Sequence, residues 1–402
     1  MKKYTELVAI LAIAIAALVP SSFAQLSVPS DGSDGALNIS TNTVIDLSQA
    51  LTGTWSNPGS GNGIYDPTQW AVVFKYSSIN IASGASVTFA NHYANPPVIW
   101  LVQSNVTING TVSVNGNNGV NGDNYGGLLP AEFLPTVPGP GGFRGAAYDQ
   151  VVGPGDGFGP GGGVGAQRSD GVSVPGSYQN SYGNPQILPL IGGSGTSSTA
   201  RGSGDNDSGA SGGGAILIVA SGTVSMNGQI TATPGVVLDR AVYAAGGGIR
   251  IVANQISGNG IIDAEPSGQT RMEANGISQQ LNITPNVDLV SPGTTPIIFP
   301  TGTAPSVSIV SVAGLSAPSD PQANVTSSAD IGIQTNSPVT VVLQTQNFPT
   351  TGTVALRVVP TYASSWMTNA TFASGNATSA TWQVTAQIPL GYCVLQAHAT
   401  AP

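Results

Sequence analysis

The chain has 402 residues, only 7% of them charged, and its 10 Lys and Arg against 19 Asp and Glu leave a formal net charge of −9. That length allows two domains with sizeable cores, while so acidic a balance argues against nucleic acid or anionic lipid as a partner. Heavy use of Gly (54) and Pro (29) favours strands and turns over helices, and a single cysteine, Cys393, excludes an intrachain disulfide.

Residues 1–24 read as an export signal. Lys2 and Lys3 precede an apolar run over 7–19, and Ser22-Phe23-Ala24 is a small-x-small cleavage site before Gln25. The run is short for a membrane span, which makes an uncleaved anchor the weaker reading. Residues 31–36 (DGSDGA) are turn-rich; no run of carboxylates follows, so turn chemistry is favoured there over a calcium loop. Residues 43–47 (TVIDL) are the first predicted strand. Residues 70–89 read as a degenerate coil of the repeat described next, with Ser83-Gly84 about one residue away from where the later copies turn. Such drift is expected of a terminal cap. Lys75, the only Lys beyond the leader, is expected to keep that end soluble.

Residues 98–115, 216–233 and 248–265 align on Asn109-Gly110, Asn227-Gly228 and Asn259-Gly260. Val106 and Ile108, Val224 and Met226, and Ile256 and Gly258 stand at matching places before the turn. Val112 and Val114, Ile230 and Ala232, and Ile262 and Ala264 stand after it. A period of two broken at the same Asn-Gly predicts strand, tight turn, strand. Matched apolar columns are buried when the copies stack, which predicts a parallel β-helix. Nine residues before each Asn, at a place that alternation puts outside, are Trp100, Ile218 and Arg250. Two of the three are large and apolar, so part of the outer wall should be covered.

The cover is expected from residues 116–214, where Gly, Pro, Ser and Asn dominate. Its apolar anchors are Leu128, Leu129, Phe133, Leu134, Phe143, Phe158, Tyr178, Tyr182, Ile187 and Leu188. An ordered but irregular drape is preferred to the competing reading of disorder. Broken periodicity over 272–305 predicts the close of the stack. Beyond it, alternating segments at 307–312, 331–335, 339–343, 354–359, 381–386 and 392–397 predict a β-sandwich of immunoglobulin-like type, with Trp382 in a core strand and Cys393 a buried, inert thiol. The end at Pro402 carries no LPxTG-like motif or hydrophobic tail, so no anchor is expected from it.

DGSDGALN, YDPTQWAVVFKYSSINI, PVIWLVQSNVTINGTVSVNG, GPGGFRG, GFGPGGG, PLIGGSG and SGGGAILIVAS follow one another over about residues 31–268. In wording and order they resemble a family of uncharacterised glycine-rich secreted bacterial proteins. The resemblance implies a bacterial source, export and a right-handed parallel β-helix core; it brings no activity and no catalytic residue. Here the excursion ends in RGSGDNDSGASGGG in place of an almost pure glycine run, so polyglycine packing is not carried over. The expected architecture is all-β: a leader at 1–24, a right-handed parallel β-helix over 25–305 with the insertion 116–214, and a sandwich over 306–402.

A β-helix outside a bacterial cell raises pectate lyase-like cleavage of polysaccharide, in which carboxylates hold calcium and an arginine abstracts a proton; this is analogy from fold alone. The best local constellation is Asp239, Arg240, Arg250, Asp263, Glu265, Arg271 and Glu273. Asp263 and Glu265 share the outer face, beside Thr231 and Thr233 of the coil below, and two such carboxylates suit an acid/base pair or a cation. A solvated pair, or a salt bridge to Arg250 or Arg271, is preferred because catalysis needs groups converging in a cleft. Asp205 and Asp207 are candidate calcium ligands that lack the rest of any known loop pattern. His92 and His398 fall in different modules, which disfavours a triad or a zinc site. Trp55, Tyr65, Trp70, Tyr76, Tyr93 and Trp100 either stack on sugars or form the core of the cap. The expected function is a secreted or cell-surface structural or adhesive protein without catalysis. Extracellular glycans or self-association supply its partners, and an extracellular polysaccharide-active enzyme or glycan-binding protein is the alternative.

Overall fold

The computed structural model describes residues 26–120, 132–133, 135–149, 153–164, 167–169, 172–174, 182–198, 207–237, 242–278, 280–285, 287, 289–322, 329–335 and 337–402. The leader, Leu128, Leu129, Leu134, Tyr178, Asp205, Asp239 and Arg240 lie outside them. Among the described residues the chain is all-β, the one helical element being the 3-10 turn Leu47–Gln49, in which the Ser48 amide is capped by Asp46.

Residues 36–290 build three strips of parallel strands. The first runs through Ala71–Tyr76, Val98–Val102, the front halves of Ala215–Met226 and Gly248–Gly258, and Gln269–Glu273. Ala36–Ile39, Ser78–Ile81, Val106–Ile108 and the back halves of the same two long strands make the second. The third holds Thr43–Asp46, Ser86–Ala90, Thr111–Ser113, Gln229–Thr231, Ile261–Asp263 and Asn282–Thr284. Val106, Val224 and Ile256 pair directly in one ladder, and Val112, Ile230 and Ile262 in another. All six side chains enter a single core, because alternation sends every second residue inward. Bonds from Ser221 to Gln103, Thr223 to Asn105, Asn227 to Asn109, Gln229 to Thr111, Thr233 to Asn115 and Val236 to Asn118 share a separation of 118 residues. The second copy therefore lies on the first without slipping, although the excursion intervenes.

The gapless alignment of the third copy needs correction. Ile218 pairs with Trp100 and with Ile251, while Arg250 pairs with Leu217. Two residues separate Ala220 from Thr223 where one separates Ala253 from Gln255, so the second copy carries a bulge at Ser221-Gly222. One extra residue reverses which face the preceding positions occupy. Trp100 and Ile218 consequently point into the core, and the outward apolar residues are Ile99, Leu101, Leu217, Val219 and Val252. That outer face is covered, by Ile187 and Leu190 of the excursion together with Leu26 and Ile298.

The parallel ladders also run further than expected. Ala36–Ile39 and Thr43–Asp46 add a strand to each of two ladders before the segment 70–89, and the Gly84 turn is two residues longer than its counterpart, since Ile81 pairs with Ile108 while Val87 pairs with Val112. Gln269–Glu273, Ile277 and Asn282–Thr284 continue the ladders past residue 272. Lys75 is only 3% exposed and donates through Nζ to the carbonyls of Ser56 (2.8 Å) and Asn57 (2.6 Å), so it holds a loop down instead of solvating the end.

The described parts of the excursion are packed backbone against backbone. Gly193 N donates to Gly213 O (2.8 Å), Gly213 N to Ala245 O (3.0 Å), Gly212 N to Phe143 O (2.9 Å) and Phe143 N to Gly193 O (2.9 Å). A Cβ at Gly212 would fall on the Gly193 carbonyl, and one at Gly213 on the Ala232 carbonyl. Only glycine admits such an approach. Ser211 fits the same lattice because its buried hydroxyl bonds Asn117 N and Val137 O, both at 2.7 Å. The serine-containing end of the excursion thus joins a glycine lattice after all.

From Ser306 the strands are antiparallel. One sheet has the order Leu315–Ser316, Ser306–Val312, Val339–Gln346, Ser379–Ala386, Thr371–Gly375; the other has Trp366–Asn369, Thr353–Pro360, Cys393–Thr400. Val341, Leu343, Leu356, Val358 and Trp382 pack between them. The strand expected at 331–335 is irregular backbone whose Ile331 and Ile333 still pack on this core. Cys393 is half-buried, and burial pushes its thiol up to about 11.

Candidate functional site

Asp263 and Glu265 stand where the third strip leaves the wall. Asp263 Oδ1 accepts from Thr284 Oγ1 and from the Glu265 amide, each at 2.9 Å, and Glu265 is exposed. Arg250 does not join them. It lies buried on the first strip, with Nε and Nη2 each 2.8 Å from Glu273 Oε1 and Nη1 donating to Ile297 O at 2.7 Å. Arg271 Nε reaches the same Oε1 at 2.7 Å while its Nη1 donates to Pro185 O. Burial lowers the Arg250 pKa and Glu273 opposes the shift. The salt bridge expected at Asp263 and Glu265 forms at Glu273 instead, and it ties residues 185 and 297 to the outer wall. Asp207 is buried and engaged. Among the described residues no three of His, Cys, Asp and Glu are grouped to hold a metal ion.

The outward columns of the second and third strips are nearly uncharged. Asn38, Asn80, Thr107, Ser225 and Ser257 follow one another across the second strip. Ser86, Thr111, Gln229, Ile261 and Asn282, and beside them Ser113, Thr231, Asp263 and Thr284, cross the third. Strand pairing spaces these groups about 4.8 Å apart. Several link along the column: Gln229 Nε2 donates to Thr111 Oγ1 (2.9 Å), Asn227 Nδ2 to Asn109 Oδ1 (2.9 Å), and the Ser225 and Ser257 hydroxyls lie 3.3 Å apart.

A second cluster forms where the strand Ile64–Asp66 and the turn after Ser86–Ala90 meet the chain after Leu315–Ser316. Asp320 accepts one hydrogen bond on each oxygen, from Tyr65 OH on Oδ1 and Tyr93 OH on Oδ2, both 2.5 Å. The His92 ring centre lies 4.1 Å from that of Tyr65 and 4.0 Å from that of Tyr93, and Nδ1 accepts from the Ala94 amide. Tyr65 is fully buried, His92 nearly so, and Tyr93 is 45% exposed. Burial first, then the carboxylate, raises Tyr65 beyond the usual tyrosine range; the bond to Asp320 leads in pushing Tyr93 up to about 12, and burial lowers His92. Sequence reading had picked out the two tyrosines and the histidine separately. Asp320, 255 and 227 residues away from the tyrosines, gave no signal of its own. The other aromatics are spent on packing: Tyr76 and Trp100 in the main core, Trp55 against Phe299, and Trp70 with its Nε1 on Ala94 O.

Arg357 was likewise not anticipated. It is 2% exposed, on the three-stranded sheet, and donates to the carbonyls of Gly159 (3.0 Å), Gly157 (3.2 Å) and Gly162 (3.4 Å), while Asp156 Oδ2 accepts from Ser365 N (2.6 Å). The excursion thereby grips the C-terminal sheets. His398 lies opposite Ala355 on the same sheet, its pKa lowered by burial and then by Arg357.

Among the described residues no helix is long and apolar enough to cross a membrane. In comparisons with known proteins, no family model, no curated protein and no solved structure matches this chain.

Proposed function

We propose that this chain is a bacterial secreted or cell-surface protein, a right-handed parallel β-helix bearing an immunoglobulin-like sandwich, that serves as a structural and adhesive element without catalysis. The observation that carries the reading is the pair of nearly uncharged walls, mostly of hydroxyls and amides, repeated at strand spacing, beside ionisable groups that are committed to fastening. A surface of this kind offers many weak, geometrically regular hydrogen bonds to an extended neutral glycan or to a second copy. Glu273, Asp320 and Asp156 are each bonded within the chain, whereas a catalytic pair has to face a substrate. The leader at 1–24 and the resemblance to glycine-rich secreted bacterial proteins support export.

The exported protein is to be tested for retention on insoluble neutral and acidic polysaccharides and for turnover of their soluble forms, with and without calcium. Retention without turnover is expected. The alternative, a polysaccharide-active enzyme, draws on Asp263 and Glu265 lying together at the wall's rim. Turnover that disappears in Asp263→Ala would establish it and defeat the non-catalytic reading.

A further inference from the structure

We propose that the strand Cys393–Thr400 is a self-pairing edge, through which two copies of this chain join antiparallel about a two-fold axis and run their three-stranded sheets into one. The surface is distinct from the nearly uncharged walls, so the inference stands whether or not those walls bind glycan.

Cys393–Thr400 pairs on one side only, with Thr353–Pro360, and without any shift of register. The bond from Thr361 N to Tyr392 O (3.0 Å) fixes which groups that side uses. Because hydrogen-bonded and non-bonded pairs alternate along an antiparallel ladder, Val394, Gln396, His398 and Thr400 turn their amides and carbonyls toward Thr353–Pro360. Those of Cys393, Leu395, Ala397 and Ala399 point the other way. Among the described residues nothing pairs with them. Their side chains face the core, yet all four are only half-buried, whereas Val354, Leu356 and Val358 on the neighbouring strand are fully buried. Ser306–Val312 of the other sheet runs beside this edge without pairing to it, and its inward Val307 and Ile309 are half-buried as well. The core is open along that seam.

An exposed edge invites strand addition, and proteins blunt such edges by shortness, charge, proline or a bulge. The other edges of these two sheets are blunted in that way. Leu315–Ser316 has two residues, Trp366–Asn369 has four, and Thr371–Gly375 is bulged between Phe372 and Ser374. Ser306–Val312 is bulged between Ile309 and Ser311. Cys393–Thr400 has eight residues and no bulge, no proline and no Lys, Arg, Asp or Glu. A second copy is the occupant that such an edge fits unaided. Opposite residues of an antiparallel pair share a face, so the axis must bisect a residue and its own counterpart. Gln396 or Ala397 on the axis keeps the strands paired over nearly their whole length. Either register sets Leu395, Ala397 and Ala399 against the same inward set and brings no like charges together. One isologous contact of this kind closes a dimer.

The full chain is followed by sedimentation velocity over a dilution series, with hydrogen exchange read amide by amide at both ends of the series. An equilibrium between monomer and dimer is expected. In the concentrated sample the amides of Leu395, Ala397 and Ala399 should exchange about tenfold more slowly than in the dilute one. Those of Val394, Gln396 and His398, already bonded to Thr353–Pro360, should change far less. Ala397→Pro removes an open-edge amide and no bond to the neighbouring strand, the place in a sheet where proline is tolerated. It is expected to stay monomeric at every concentration, with its melting temperature in dilute solution nearly unchanged. If A397P fails to fold, A399P takes its place. A parent chain that is monomeric throughout would overturn the proposal, as would a dimer that persists in the folded proline variant or leaves those three amides unprotected.

Discussion

Glu273 illustrates how individual ionisable residues are used here, since one of its oxygens holds Arg250 and Arg271 together against the outer wall. Replacing it with Ala leaves Arg250 buried without its counter-charge. Glu273→Ala is expected to lower unfolding stability by about 3 kcal/mol, measured by urea titration. The histidines give a residue-scale pH dependence. Burial depresses the pKa of both His92 and His398, so the folded state binds fewer protons than the unfolded chain. Their contribution is present above the unfolded value of about 6.5 and is lost as pH falls below it. Urea midpoints should therefore drop from pH 7.5 to pH 5.5, and by less in His92→Gln. Tyr93 has the opposite sense: its raised value stabilises the fold below about 10, with loss on passing through about 12.

Elements differ in how readily they declare themselves. The inward columns through Val106, Val224 and Ile256 are visible in the chain because strand alternation is a local rule. The parity of the strand before them is not, because one residue at Ser221-Gly222 inverts it and only the pairing partner reveals the bulge. The glycine lattice has no period at all, since no side chains alternate within it, and its order comes from backbone bonds such as Gly193 to Gly213. Gly213→Ala should destabilise the protein by more than about 2 kcal/mol, as its Cβ meets a fixed carbonyl. Gly302→Ala, with open space around it, should leave the melting temperature nearly unchanged.

At the scale of the whole molecule, the C-terminal region is fastened through Arg357 in the carbonyl cradle of Gly157, Gly159 and Gly162, and through Asp320 between the two tyrosines. Arg357→Met removes the donors to the buried carbonyls of Gly157 and Gly162, while Gly159 O keeps its bond from Gly162 N. Cleavage by trypsin after Arg144 is expected to be slow in the parent protein and to accelerate at least several-fold in that variant. An unchanged rate would mean that the excursion is ordered without the C-terminal sheets.

The sequence by itself determined the all-β character, the recurrence around Asn109, Asn227 and Asn259, and the inward columns, since each follows from composition or from spacing within a few residues. Asp263 and Glu265 were legible as wall residues for the same reason. Tertiary structure alone decided that Arg250 belongs with Glu273, that Asp320 reaches Tyr65 and Tyr93, and that Arg357 enters a cradle of glycine carbonyls. Those pairings join groups up to 255 residues apart, and nothing in local periodicity carries the geometry that brings them together.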